Sequence, residues 1–179
     1  MKTLVDHLAQ YAAYHRDRRN VATHFIGIPM IVLSVAMLLS RPSVALFGLV
    51  LTPAVLVVVA MVIFYLALDL RFALVMAALN IICLWVGYIV AQQSTGTWLA
   101  TGIGLFVVGW VLQFIGHYWE GRKPAFVDDM SGLIVGPLFV LTEVAFLLGL
   151  RDEVRREVEK RVGPTHIRSK LEAPGQSAR

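Results

Sequence analysis

The stretch "VALFGLVLTPAVLVVVAMVIFYLAL", residues 44–68, holds no formal charge. A run of that length can cross a hydrocarbon core of ~30 Å as a helix. It does not alternate, as the wall of a lipid-facing barrel would, and a helix satisfies its own backbone groups in lipid. Outward from it lie similar runs at residues 21–40, 72–90 and 98–119. A fifth, at 133–150, contains Gly136-Pro137 and Glu143. Between Asn20 and Trp119 only Arg41, Asp69 and Arg71 are charged, in a chain that is 58% hydrophobic and 16% charged. That composition excludes an ordinary soluble domain. The pattern predicts an all-α integral membrane bundle of four to five membrane-embedded helices, preceded by an N-terminal interfacial helix.

That first helix is expected over residues 2–18, where Leu4, Leu8, Tyr11 and His15 recur at helical spacing. Its apolar stripe suits the membrane surface, with basic residues facing headgroups. Asn20 has the chemistry of an N-cap for the next helix. The run from Phe25 to Leu39, followed by "SVA", lies too late to read as a signal-peptide core. Residues 1–150 are expected to form one membrane-embedded domain and 151–179 a polar basic tail. In that tail Val154, Val158 and Val162 make one apolar stripe, and "EAPGQSAR" reads as disordered. Cys83 stands alone in an apolar run, a bystander thiol with no disulfide partner in the chain.

Cytoplasmic segments are enriched in Lys and Arg. The N-terminal segment carries Lys2, Arg16, Arg18 and Arg19, and the tail carries Arg151, Arg155, Arg156, Lys160 and Arg161. Both ends belong on the cytoplasmic side, so the number of crossings is even. Of five apolar runs, the one with the Gly-Pro break and the mid-run carboxylate is the one expected not to span. His15, His24, Asp69, His117 and Glu120 then gather at the cytoplasmic ends of their helices.

Two stretches could carry chemistry. In "YHRDRRNVATHFIGIP", residues 14–29, His15 and His24 are nine positions apart. On one unbroken helix they would point to opposite faces, ~13 Å apart along the axis. They can share a ligand only if the chain bends between them, and "RDRRN" offers the place. In "QFIGHYWEGRKPAF", residues 113–126, Gln113, His117 and Glu120 share a helix face. Gly109 and Gly116 thin that helix for a close neighbour. Imidazoles suit iron, zinc, copper or nickel, and His with carboxylate and open positions suits Fe(II) oxygen chemistry. The structural alternative makes His15 and His24 headgroup-level anchors and His117 a hydrogen-bonded packing residue. Glu143 is functional or paired. Asp128 and Asp129 read as a solvated loop, and His7 and His166 as incidental. No glycine-rich phosphate loop, serine triad, repeat or nucleic-acid-binding pattern is present.

The ordered pair of stretches, about ninety residues apart, resembles the small membrane family of 2-hydroxy-fatty-acid dioxygenases over roughly residues 10–150. The resemblance implies an Fe(II)-dependent α-oxidation of long-chain 2-hydroxy fatty acids by O2, giving the acid one carbon shorter plus CO2. It implies His15, His24 and His117 as metal ligands, with Asn20, Asp69 or Glu120 as a further ligand or support. Arg122 and Lys123 are expected to attract the substrate carboxylate. The expected location is a bacterial inner membrane, or the endoplasmic reticulum in a eukaryote, with the site at the cytoplasmic face; a homo-oligomer is compatible with the sequence. Competing readings are a non-enzymatic scaffold or transporter subunit, and a bis-histidine haem protein.

Overall fold

The computed structural model describes residues 2–46 and 49–167. In chain order the elements are α1 (Leu4–Ala12), α2 (Arg18–Ser40), β1 (Val44–Leu46), β2 (Leu49–Leu51), α3 (Pro53–Leu68), α4 (Leu70–Ala91), α5 (Thr95–Glu120), a 3₁₀ turn (Ala125–Val127), α6 (Gly132–Leu147) and α7 (Asp152–Val162). The fold is all-α, its two short strands pairing only with each other. The chain divides into two compact units, Met1–Gly27 with Val111–Arg179, and Ile28–Trp110. The tail "EAPGQSAR" lies outside the described residues.

In the unit Ile28–Trp110, the stretch that suggested one long span is two structures. β1 and β2 pair antiparallel, with Val44 opposite Leu51. Pro53 disfavours helix at the residue before it, and Thr52 is extended, its hydroxyl capping Val55 N at 3.3 Å. Only Pro53–Leu68 is helical. At 1.5 Å per residue that is about 24 Å, short of a ~30 Å core. Three helices, α2, α4 and α5, are long and apolar enough to cross a membrane. They expose Ile26, Ile81, Trp85 and Phe114, as lipid-facing helices do. Asp69 ends α3 and caps α4, accepting from Phe72 N at 3.0 Å. Gly87 admits the Ala36 carbonyl, 3.0 Å from where a Cβ would stand. Trp98 Nε1 donates to Met37 O at 2.9 Å, and Arg41 lies over the Trp98 ring at 4.7 Å.

The other unit is built on α1, α6 and α7. Thr3 and Asp6 cap α1 reciprocally. Leu4, Leu8 and Tyr11 are buried as the spacing predicts, but against α6 and α7. The stripe expected to rest on the membrane surface therefore packs on protein. The helix also ends at Ala12 rather than near residue 18. The partner surface comes from the tail, where Val154 and Val158 are buried and Arg161 pairs with Asp6 at 2.7 Å. The Gly136-Pro137 pair does not break α6, which runs through it. The break follows at Gly149 (φ +70°) and Arg151 (φ +60°), and α7 leaves at 114° to α6. The pair α6 and α7 counts as a fourth crossing only if it forms one broken span.

Candidate metal centre

The site lies within the unit Met1–Gly27 with Val111–Arg179 and starts where α1 ends. Tyr14 N and His15 N donate to Tyr11 O and Ala12 O at 3.1 and 3.0 Å, turning the chain before α2 begins at Arg18. The bend between the two histidines is therefore real, and it falls at residues 13–17, the front edge of "RDRRN". It brings His15 Nε2 to 3.0 Å from His24 Nε2. His117, in the last turn of α5, adds a third ring, with centroids 4.9 Å from His15 and 5.2 Å from His24. One ligand nitrogen from each imidazole lies within 4.8 Å of the others, and the rings are 0%, 1% and 6% exposed.

The turn is held at almost every backbone group. Glu120, itself buried, accepts from Asp17 N at 2.8 Å and Asn20 Nδ2 at 3.1 Å through one oxygen. Asn20 Nδ2 also reaches Tyr14 O at 3.2 Å, and Arg122 Nη1 donates to Ala13 O at 2.9 Å. His166 straps the turn from the tail: its N–H donates to Arg16 O, and its carbonyl accepts from Arg18 N, each at 2.9 Å. Asn20 thus braces the turn and is not the helix cap expected of it. Asp17 caps instead, taking Arg19 N on Oδ1 at 2.8 Å and the Arg19 guanidinium at 2.7 Å on Oδ2. Gly116 is thin for a reason, since a Cβ there would overlap Thr23 Oγ1 and Asn20 Oδ1. Asp69 belongs to the other unit, where it serves as a cap. Lys123 is exposed and paired with Asp128. Asp128 also accepts from the Tyr14 hydroxyl at 2.8 Å, and Asp129 from Gln10 at 2.9 Å.

Backbone carbonyls decide the tautomers. His15 Nδ1 lies 2.7 Å from Tyr11 O, and His24 Nδ1 2.9 Å from Asn20 O. A carbonyl only accepts, so both Nδ1 atoms carry the proton in the neutral rings. Both Nε2 lone pairs then face each other, an arrangement that repels unless a cation sits between them. Two imidazole nitrogens bound at ~2.0–2.2 Å to one metal stand about 3.0–3.4 Å apart, and a carbonyl on the far nitrogen is the usual support of such a ligand. His117 Nδ1, Asn20 Oδ1 and Gln113 Nε2 are buried without hydrogen-bond partners. The donor set fits a metal ion.

Burial, and then the His24 and His117 rings, hold the His15 imidazole well below the usual histidine range. In the unfolded chain this ring takes up a proton near pH 6.5. The folded, metal-free protein does so only at lower pH, so the unfolded state binds more protons below about pH 6.5. Stability therefore falls as pH falls through that window. The urea midpoint of metal-stripped protein should drop between pH 7 and 5; an invariant midpoint would contradict a neutral, buried His15.

Tyr11 reads from its spacing only as part of the α1 stripe, yet its ring stacks on His15 at 4.1 Å, and Asp17 carries an N-cap signal just before a helix. His166 acts through its backbone, which no residue pattern reveals.

The family model described as "2-hydroxy-palmitic acid dioxygenase Mpo1-like" matches residues 1–148. The 2-hydroxy-palmitic acid dioxygenase MPO1 of Saccharomyces cerevisiae is 30% identical over 154 residues, covering 85% of each chain. No solved structure matches. The three histidines and Glu120 all lie inside the matched span, and the chain belongs to the Mpo1-like 2-hydroxy-palmitic acid dioxygenase family.

Proposed function

We propose that the protein is an Fe(II)-dependent dioxygenase that shortens long-chain 2-hydroxy fatty acids by one carbon. The observation that carries this reading is the opposed Nε2 pair of His15 and His24 beside His117, in a chain of this family. The overall reaction is RCH(OH)COOH + O2 → RCOOH + CO2 + H2O. Four electrons leave the acid and one O2 takes four, so no nicotinamide or flavin is required. When bound, Fe(II) supplies the one-electron chemistry that lets O2 react with a closed-shell acid.

The chain's own residues prepare the site. His15, His24 and His117 would hold the metal, with the Tyr11 and Asn20 carbonyls fixing two of the tautomers. Glu120 supports the turn that carries His15. Asn20 Oδ1 and Gln113 Nε2, buried and unpartnered, offer an acceptor and a donor to a polar substrate head. Arg122 and Lys123 hold protein groups, and a substrate carboxylate would have to compete for them. Both basic ends favour the cytoplasmic side of a cell membrane or endoplasmic reticulum, where a lipid-soluble substrate is at hand. The 3.0 Å between His15 Nε2 and His24 Nε2 leaves no room for a macrocycle between the two rings, which disfavours a bis-histidine haem.

Purified protein should consume O2 on 2-hydroxypalmitate and release pentadecanoate and CO2 in equal amounts. Release of CO2 without O2 uptake, or no turnover at full iron loading, would sink the assignment. Glu120→Ala should strand two buried donors, costing about 1–3 kcal/mol of stability. Metal affinity should fall ~10–100-fold, as for other supporting residues. Metal titration beside urea denaturation checks both, and unchanged affinity would remove Glu120 from the support.

A further inference from the structure

A cavity of about 450 Å³ lies in the same unit, and none of the three histidines lines it. Its walls divide by chemistry. Val21, Phe25, Phe146, Leu147 and Val158 are apolar; Arg16, Arg18, Glu143, Arg155, Glu159 and Thr165 are polar. Part of the wall is tail, from residues beyond the family match. A volume of this order suits a small-molecule site, and a wall of this kind suits an amphiphile.

The charges are not equivalent. Arg155 is satisfied by Glu159, Nε to carboxylate at 2.9 Å, and Arg18 is exposed. Arg16 is only 8% exposed. Its Nε donates to Ala12 O at 2.7 Å and its Nη1 to Gly163 O at 2.6 Å, which fixes the guanidinium plane. Nη2 is buried and has no partner. A fixed, buried guanidinium with one unpartnered nitrogen matches a carboxylate better than any neutral head. Glu143 offsets part of the positive charge and would disfavour a doubly charged phosphate.

We propose that this cavity binds the carboxylate head of a long-chain fatty acid on Arg16, with the chain along Phe25, Phe146 and Leu147. The proposal rests on the dioxygenase reading only for the source of the acid, which can be the 2-hydroxy substrate or the shortened product. Because Arg16 follows His15 and ties the tail to the turn, an acid bound here sits against the support of the metal centre without touching it.

The test uses full-length protein in nanodiscs with a diazirine-bearing palmitate, crosslinks being mapped by mass spectrometry. Labelling is expected at Phe25, Phe146 or Leu147, and palmitate and 2-hydroxypalmitate should compete while hexadecanol should not. The relative strength of the two acids tells product from substrate. Arg16→Gln should cut labelling at least tenfold. Because that variant also loosens the turn, Ala22→Trp provides a second arm: Ala22 is exposed and lines the cavity, so the indole fills the space with the turn intact. Labelling should persist in His24→Ala, which separates this site from the metal centre. Unchanged labelling in Ala22→Trp, or equal competition by hexadecanol, would overturn the proposal. Preferential competition by hexadecyl phosphate would assign the cavity to a phospholipid headgroup and overturn it equally.

Discussion

His24→Ala should reduce metal affinity at least about 100-fold, beyond the ~10–100-fold expected from losing a supporting residue. The ring is buried, its Nδ1 is committed to Asn20 O, and its Nε2 has only the His15 lone pair before it. The readout that separates ligand from packing residue is stabilisation by metal. A ligand that binds only the folded state adds about 2.7 kcal/mol at 100 times its Kd. At a metal concentration giving the wild type that gain, His24→Ala should gain close to nothing, and O2 uptake should vanish. If His24 merely packs, the variant loses stability equally with and without metal. Chemical denaturation in detergent at both metal levels decides it.

Gly116→Ala should disable the site from the opposite helix. A Cβ would overlap Thr23 Oγ1 and Asn20 Oδ1 and stand 3.2 Å from Asn20 Cα. Neither neighbour can yield cheaply. Asn20 is tied to Glu120 and Tyr14 O, and Thr23 Oγ1 donates to Asn20 O at 2.7 Å. Overpacking of this kind costs about 1–3 kcal/mol. Relief requires α5 to back away from α2 at this point, which draws His117 off the other two rings. Loss of stability and loss of metal binding should therefore appear together. Gly104, also in α5, has nothing within 4 Å of a Cβ. Gly104→Ala should be neutral or stabilise by up to about 1 kcal/mol through helix propensity. A metal-competent Gly116→Ala of wild-type stability would contradict the packing described here.

The legible parts of the fold were those governed by local chemistry. Apolar run length identified α2, α4 and α5, and helical arithmetic required a bend between His15 and His24. The spacing of Gln113, His117 and Glu120 put them on one face. The misplaced parts were decided by competition with distant residues. Residues 44–51 are as apolar as a span, but Thr52-Pro53 interrupts the helix, and β1 and β2 pair with each other before it. The stripe of α1 suits a membrane surface equally well until α7 supplies Val154 and Val158 to cover it. Asn20 has a capping side chain, yet Glu120, a hundred positions away, claims it and leaves the cap to Asp17. Gly136-Pro137 reads as a break, while the actual break uses the positive φ angles of Gly149 and Arg151.

The central claim is that His15, His24 and His117 hold an iron on which turnover depends. Metal-stripped protein reloaded with Fe(II), Zn(II) or Mn(II) and assayed for O2 uptake on 2-hydroxypalmitate tests it most directly. About one iron per chain is expected, with uptake proportional to bound iron and none with zinc. Full activity in protein free of iron would contradict it.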